Sequence, residues 1–170
     1  MAIKPNIKTP ELDVDTVDGG RFRLGERKPQ HFTMVVFYRG YHCPICKSYL
    51  RDLDRKIDDF VRRGVDVLAV SADSKDRATK SKTDWELQKL TLGFGLSIER
   101  AREWGLYISR AIRDGEPPLF TEPGLFLVRP DETLYAAWIQ SVPFARPSFA
   151  EVLSAIDFII EKNYPARGDA

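Results

Sequence analysis

The chain has 170 residues, of which 43% are hydrophobic and 30% are charged. This length and composition suit one globular domain and exclude a fibrous or disordered chain. Its 26 Lys and Arg residues nearly balance 25 Asp and Glu residues, so no overall charge favours nucleic acid or an anionic membrane as a partner. The first residues hold no apolar run typical of a signal peptide, and no segment approaches the length of a membrane-spanning helix. We therefore expect one cytoplasmic domain over residues 1–170, without a nucleic-acid or membrane partner.

The first half of the chain predicts a hairpin followed by a strand, a helix and a second strand. Residues 12–24 alternate loosely around a glycine-containing turn, which indicates a β-hairpin. Residues 33–38 are a continuous apolar run, which is typical of a strand buried on both faces of a sheet. From Pro44 to Arg62 apolar residues recur every three or four positions, which predicts an amphipathic helix. Residues 65–70 predict the next buried strand.

The second half predicts two helices, a loop and a pair of strands. A charged helix is expected over residues 74–90, and a shorter one over residues 97–104, beginning at a serine suited to the N-cap. Residues 115–120 are interpreted as a loop because they contain glycine and two prolines. Residues 125–128 and 134–139 flank a turn-rich link, which favours an antiparallel pair.

A final amphipathic helix is expected to begin after an N-cap at Ser148. Its inward positions are expected to be Val152, Leu153, Ile156, Ile159 and Ile160. The order of all these elements implies an α/β protein with a mixed sheet flanked by helices and an N-terminal hairpin.

The two cysteines of the chain lie in the sequence Cys43-Pro44-Ile45-Cys46, directly after a predicted buried strand. In a reducing compartment this spacing is more typical of redox or metal chemistry than of a structural disulfide. Pro44 suits the first helical position, which makes Cys43 the N-cap, where free amides and the helix dipole lower a thiol pKa. Cys46 lies on the same side of the first turn and begins the apolar stripe. The spacing predicts that an exposed Cys43 thiolate attacks and that the more buried Cys46 resolves the mixed disulfide.

Two other interpretations of the cysteines are possible. Cysteine is often simply a buried, small apolar residue. A zinc site needs about four ligands, and the soft candidates in the chain are Cys43, Cys46, His42 and His31. Because His31 lies at the far end of the preceding strand, we expect neither a metal nor another cofactor.

Several residues near the cysteines have two interpretations each. His42 is either functional, as a proton shuttle or as a charged group that raises the thiolate fraction, or a solvated loop histidine. Arg39 either binds a thiolate or a peroxide oxygen, or forms a surface salt bridge. Three aromatic residues either line a substrate groove or belong to the core. They are Trp104, Tyr107 and Phe120.

Four segments resemble a known family over nearly the whole chain. They are FYRGYHCPICKSYLRDLDRK, VLAVSAD, WGLYISRAI and EPGLFLVRPDETL. They resemble the peroxiredoxin-like branch of the AhpC/TSA family, whose members have a thioredoxin fold. The resemblance implies an antioxidant thiol-disulfide oxidoreductase or peroxidase, in which a CxxC motif replaces the signature PxxxTxxC and Cys46 matches the peroxidatic position.

The chain departs from that family signature at each diagnostic position. With the signature aligned on Cys46, Arg39 stands in place of the proline and Cys43 in place of the threonine. The arginine that the family places before a later strand is replaced by Pro123. Because the family's threonine and arginine hold the peroxide, their absence favours disulfide exchange. Pro123 also resembles the cis-proline that faces the CxxC turn in thioredoxin-fold proteins, and we expect a cis peptide bond there.

Three hypotheses therefore remain open. In the first, the protein exchanges disulfides, with Cys43 attacking and Pro123 shaping the docking groove. In the second, it is a peroxidase, with Cys46 peroxidatic and Cys43 resolving. In the third, it is a redox sensor without turnover. The expected partners are a disulfide or peroxide substrate, a thiol electron donor and, by analogy with the family, a second copy in a homodimer.

Overall fold

The structure, a computed structural model, describes residues 3–170. Within this range no helix is both long and apolar enough to cross a membrane. The nine strands and four α-helices of these residues are β1 (Asp13–Thr16), β2 (Arg21–Arg23), β3 (Phe32–Phe37), α1 (Pro44–Arg62), β4 (Val65–Val70), α2 (Lys75–Asp84), β5 (Leu92–Phe94), α3 (Ile98–Glu103), β6 (Ile108–Arg110), β7 (Leu119–Thr121), β8 (Gly124–Val128), β9 (Leu134–Ile139) and α4 (Phe149–Lys162).

Seven strands form one mixed sheet, in the order β2-β1-β5-β4-β3-β8-β9. Strand β4 runs parallel to its neighbours β3 and β5, whereas the hairpin β1–β2 and the strands β8 and β9 are antiparallel to theirs. Strands β6 and β7 form a separate antiparallel pair. The predicted α/β architecture, with a mixed sheet flanked by helices and an N-terminal hairpin, is confirmed.

The central strand β3 is buried along its whole length because apolar layers cover both faces of the sheet. Alternate residues of the strand point to opposite sides. Met34 and Val36 belong to the cluster shared with α1 and α4, which also contains Cys46. Val35 and Phe37 belong to the second cluster, on the face that includes α3. Cys46 is therefore part of the core under α1.

Strand direction brings four chain segments to the edge of the sheet where α1 begins. Phe37, at the end of β3, lies opposite Val70 at the end of the parallel strand β4. It also lies opposite Gly124, the first residue of the antiparallel strand β8. Gly124 in turn pairs with Ile139, the last residue of β9. The segments after β3, β4 and β9, and the one before β8, thus meet at one edge.

Helix α2 is shorter than the predicted range 74–90, because it ends at Asp84. Glu86 has a positive φ of 56°, which a helix does not accommodate. Beyond it, the backbone N–H groups of residues 88–90 donate to the Asp54 carboxylate on α1. The prediction was wrong because a tertiary carboxylate replaces the helical acceptors and draws this segment into the core.

Two further sequence expectations are corrected. Residues 115–120 were expected to be a loop, but Leu119 and Phe120 belong to β7, which pairs with the unpredicted strand β6. Phe120 is buried, so the short strand is fixed by packing that local sequence does not reveal. In α4, Ile160 is 36% exposed rather than inward, because it lies in the last turn at the rim of a surface groove.

Candidate redox site

The CPIC sequence forms the first turn of α1, as predicted. Cys43 is the N-cap, with an extended backbone (φ −105°, ψ 104°), and Pro44 occupies the start of the helix. The Cys46 backbone N–H donates to Cys43 Sγ at 3.3 Å. The thiol of Cys43 thus takes the place of the hydroxyl or carboxylate that usually caps a helix.

Both cysteines are free thiols and both are buried. Cys43 is 1% exposed and Cys46 is fully buried, so the expectation that Cys43 is exposed was wrong. Pro44 and Ile45, which follow Cys43, are exposed. Cys43 is therefore covered by neighbouring groups, although the two residues that follow it reach the surface.

The two thiols have opposite pKa shifts. Hydrogen bonds from the Cys46 side chain and backbone, together with the cations of Arg146 and Arg39, lower the pKa of Cys43 to about 6, although burial opposes this. Burial raises the pKa of Cys46 above its ordinary value, and its hydrogen bond to Cys43 adds to that increase. At neutral pH the site is therefore poised to hold one thiolate, at Cys43, and one thiol, at Cys46.

We expect the two thiols of the reduced protein to titrate separately. Thiolate absorbance at 240 nm should show one step near pH 6 and a second step above the usual cysteine range of about 8.5. Because the folded pKa of Cys43 is lowered, its thiolate is present at pH 7 and is lost as the pH falls through 6. A Cys43→Ser variant should lack the lower step. Two steps near pH 8.5 would contradict these shifts.

Arg146, which sequence reasoning missed, contacts the second cysteine. Its Nη2 donates to Cys46 Sγ at 3.0 Å, and its Nε donates to the Pro143 carbonyl at 3.0 Å. Its Nη1 is buried without a hydrogen-bond partner, and no carboxylate among residues 3–170 forms an ion pair with it. Within the described residues, the Arg146 guanidinium thus hydrogen-bonds a cysteine sulfur and a carbonyl oxygen but no carboxylate.

The loop that carries Arg146 is attached to α1 through Tyr49. The Arg146 guanidinium lies 4.8 Å from the centre of the Tyr49 ring, and the Tyr49 hydroxyl donates to the Pro147 carbonyl at 2.6 Å. The same ring stacks on that of Phe149, the first residue of α4, with 4.3 Å between the two ring centres. These contacts hold the guanidinium over the first turns of α1.

Arg39 approaches the cysteines from the end of β3. It forms an ion pair with Glu122, and its guanidinium lies 4.8 Å from the centre of the Phe120 ring. The Arg39 side chain is 15% exposed and that of Glu122 is 4% exposed. Arg39 therefore forms a salt bridge, as one of its two interpretations predicted, but the pair is buried rather than at the surface. Arg39 also helps to lower the pKa of Cys43.

His42 is half-buried rather than a solvated loop residue. Both ring nitrogens are shielded from solvent and lack a hydrogen-bond partner. The ring packs against Phe120, with 4.6 Å between the two ring centres. Burial and the nearby Arg39 cation lower the pKa of His42. At neutral pH the ring is therefore an uncharged imidazole.

Pro123 is buried next to the site, but its peptide bond is not cis. It lines a narrow crevice with Tyr49 and Arg146, and its carbonyl accepts from Gln140 N–H at 3.0 Å. No peptide bond among residues 3–170 is cis. The expected cis bond was wrong, because the trans form is intrinsically preferred even before proline.

The other predicted residues lie in different surroundings. Trp104 is fully buried in the core, whereas Tyr107 is 56% exposed. Phe120 contacts both Arg39 and His42. His31 hydrogen-bonds the Arg63 carbonyl at the far end of the sheet, and within residues 3–170 no three His, Cys, Asp or Glu side chains form a possible metal-binding group.

The loop before Cys43 depends on a close approach at Gly40. Gly40 has a φ of +136°, and a Cβ there would lie 2.8 Å and 2.9 Å from the carboxylate oxygens of Asp73. Asp73 accepts the Tyr41 backbone N–H at 2.8 Å and pairs with Arg77. Any side chain at Gly40 would displace the carboxylate that holds this loop.

We expect Gly40→Ala to lower the free energy of unfolding by about 2–4 kcal/mol, since it combines backbone strain with displacement of the Asp73 carboxylate. Urea unfolding checks this value. The matched control is Gly95→Ala, where φ is +70° but no atom lies within 4 Å of the new Cβ; strain alone should cost about 1–2 kcal/mol. Equal losses of stability in the two variants would show that the position of Asp73 is unimportant.

The fold and the paired thiols together define a thiol-dependent oxidoreductase with a thioredoxin fold. A model of the AhpC/TSA family matches residues 5–137. The chain therefore belongs to the AhpC/TSA family, as the sequence resemblance indicated, and its class of enzyme is that of the thiol-dependent peroxidases and oxidoreductases. A search of curated proteins gave no significant match.

Several solved peroxiredoxins have a similar fold. A variant of peroxiredoxin 6 from Arenicola marina is 18% identical with a TM-score of 0.78, covering 95% of this chain and 76% of the other. The reduced 2-Cys peroxiredoxin of Plasmodium vivax is 20% identical with a TM-score of 0.78, covering 95% and 84%. Peroxidoxin BcpB from Mycobacterium tuberculosis is 14% identical with a TM-score of 0.74, covering 92% and 98%.

Proposed function

We propose that the protein catalyses thiol-disulfide exchange, with Cys43 as the attacking thiolate and Cys46 as the resolving thiol. The observation that carries this proposal is the N-cap position of Cys43, whose sulfur accepts the Cys46 N–H. That position and the neighbouring cations lower the pKa of Cys43 to about 6. A thiolate with a pKa slightly below the ambient pH is both abundant and a good nucleophile.

The reaction proceeds in two exchange steps. Cys43 Sγ attacks one sulfur of a substrate disulfide, which forms a mixed disulfide and releases the other substrate sulfur as a thiolate that takes up a proton. Cys46 then loses its proton and attacks Cys43 Sγ, which releases the second substrate thiolate and leaves a Cys43–Cys46 disulfide. Two electrons have passed to the substrate, and an external thiol donor restores the reduced pair.

Arg146 has its role in the second step. Cys46 must ionise although burial raises its pKa. The guanidinium hydrogen bond at 3.0 Å stabilises the negative charge as it forms on Cys46 Sγ. The cation thus favours resolution of the mixed disulfide.

A trapping experiment tests this order of attack. Cys46→Ser, incubated with a peptide that contains one disulfide, should accumulate a mixed disulfide on Cys43, because the resolving thiol is missing. The matched control Cys43→Ser should give almost none, since burial keeps Cys46 protonated. Mass spectrometry identifies the adducts. Equal trapping by both variants, or trapping by Cys43→Ser alone, would refute the assignment.

A second candidate function is peroxide reduction with Cys46 as the peroxidatic residue. The observation that favours it is the Arg146 hydrogen bond to Cys46 Sγ. The alignment of the family signature, which matches Cys46 to the peroxidatic position, supports it as well. Cys46 would attack the peroxide, release water or an alcohol and become a sulfenic acid, and Cys43 would then condense with it and release water. Stopped-flow peroxide consumption that survives in Cys43→Ser but not in Cys46→Ser would favour this function over disulfide exchange.

The remaining expectations stay predictions of this proposal. The substrate is a disulfide or peroxide, the donor is a thiol, and the location is the cytoplasm. A homodimer is predicted by analogy with the family.

A further inference from the structure

A buried ion pair lies beside the CPIC turn, because its Arg39 guanidinium and the ring of His42, the residue before Cys43, pack on the same Phe120 ring. Arg39 Nη2 donates to Glu122 Oε1 at 3.3 Å, and the Ser109 hydroxyl donates to the same oxygen at 2.6 Å. Arg39 Nε and Glu122 Oε2 lie 3.1 Å apart but out of line for a full hydrogen bond. The pair is thus held by charge more than by aligned hydrogen bonds.

The Arg39 guanidinium serves two anions. One is the buried Glu122 carboxylate, which accepts a hydrogen bond from Ser109. The other is the Cys43 thiolate, four residues further along the chain, whose ionisation Arg39 favours. Phe120 supports the guanidinium from one face, so its position is set by packing as well as by charge.

Two anions that share one cation in a buried site compete for it. The carboxylate of Glu122 reduces the positive potential that Arg39 presents to the cysteine, and this effect is larger in a low dielectric than in solvent. Because the Phe120 ring also supports Arg39, removing the carboxylate charge should not release the guanidinium.

We propose that Glu122 is a positioning residue that sets the redox poise of the Cys43–Cys46 pair by reducing the positive potential that Arg39 presents to the Cys43 thiolate. This inference rests on the proposed function, since it assumes that the pair cycles between dithiol and disulfide. Stabilising the thiolate stabilises the reduced form and makes a dithiol pair a stronger oxidant. Glu122 therefore keeps this pair more reducing than its two neighbouring arginines alone would make it.

Neutralising Glu122 tests the proposal. In Glu122→Gln, which keeps the side-chain shape, the acid dissociation constant of Cys43 should rise about tenfold, because Arg39 would no longer be neutralised by a carboxylate. At pH 7 this shifts the equilibrium with a dithiol buffer about ninefold toward the reduced pair. The reduction potential of the pair should therefore rise by about 30 mV, since a tenfold change in the equilibrium constant corresponds to 29.6 mV. Absorbance at 240 nm gives the dissociation constant, and redox titration gives the potential.

The control variant is Asp114→Asn, which removes one exposed charge from the loop between β6 and β7. It should change the dissociation constant less than twofold, because solvent screens an exposed charge. A double-mutant cycle with Arg39→Gln shows whether Glu122 acts through Arg39. In the Arg39→Gln background, Glu122→Gln should change the Cys43 dissociation constant less than about threefold.

Each result decides the proposal. If the acid dissociation constant of Cys43 is unchanged or lower in Glu122→Gln, the proposal is overturned, even if that variant is less stable. If Glu122→Gln alone fails to fold, the comparison of Arg39→Gln with the double variant decides, and a clear difference between these two overturns the proposal. A wild-type pair that never exchanges with a disulfide buffer refutes the proposed function instead, so the two failures are distinguishable.

Discussion

Replacing Cys43 with serine is expected to reduce the rate of disulfide exchange at least about 1000-fold, because a serine hydroxyl does not ionise at neutral pH and cannot form a mixed disulfide. Serine is nearly the same size as cysteine and is itself a good N-cap. The first turn of α1 should therefore remain folded, so that the loss of rate reflects chemistry. The measurement is the rate of reduction of a peptide disulfide by the reduced protein.

The informative comparison is with Cys46→Ser. This variant keeps the Cys43 thiolate but lacks the Cys46 thiol that resolves the mixed disulfide. It should show a rapid first release of substrate thiol and then stop. If Cys43→Ser instead retained more than about a tenth of the wild-type rate, Cys43 would not be the attacking residue.

Replacing Arg146 with methionine should slow resolution of the mixed disulfide about 10- to 150-fold. This range corresponds to about 1.5–3 kcal/mol, the usual contribution of a hydrogen bond to a charged group. The variant no longer forms the hydrogen bond from Nη2 to Cys46 Sγ. Methionine retains most of the apolar packing on Tyr49, so the loop should stay in place. Single-turnover kinetics separate the first attack from resolution.

Two further variants make the Arg146 result specific. Arg146→Lys keeps the charge but not the planar guanidinium, and should recover only part of the rate. Arg167→Met removes an exposed arginine from the C-terminal segment and should leave both steps unchanged. If Arg146→Met slowed neither step, the guanidinium would have no part in the chemistry.

Much of the architecture could be predicted from the sequence because its signals are local. The apolar run of β3, the helical periodicity of α1 and the CPIC turn all reflect the positions of neighbouring residues. Helix α2 and the hairpin β6–β7 could not be placed in the same way. Asp54 on α1 terminates the first by tertiary hydrogen bonds, and buried Phe120 fixes the second.

The cysteine pair and Arg39 were predicted as site residues, whereas Arg146 was missed and Glu122 was given no role. Arg146 lies 100 residues from Cys46, and no local pattern connects the two. Strand direction offers a signal that could have found it: β9 runs antiparallel to β8, which runs antiparallel to β3. The loop after β9 therefore emerges at the edge where the CPIC turn lies.

The burial of Cys43 was also beyond the reach of the local sequence. An N-cap residue is commonly solvated, and the expectation of an exposed thiolate followed from that position alone. In the structure the residue is 1% exposed. Arg146, from a distant segment, contacts Cys46 Sγ, and Glu122, also distant in sequence, pairs with the nearby Arg39. Only the packed sheet brings these groups together.

The measurement that tests the central claim most directly is limited alkylation of the reduced wild-type protein at pH 7, followed by peptide mass spectrometry. Iodoacetamide reacts with thiolates, so a pKa of about 6 at Cys43 and a raised pKa at Cys46 predict that the first label falls on Cys43. The labelling rate should fall as the pH drops below 6. A first label on Cys46 would contradict the assignment of Cys43 as the attacking thiolate.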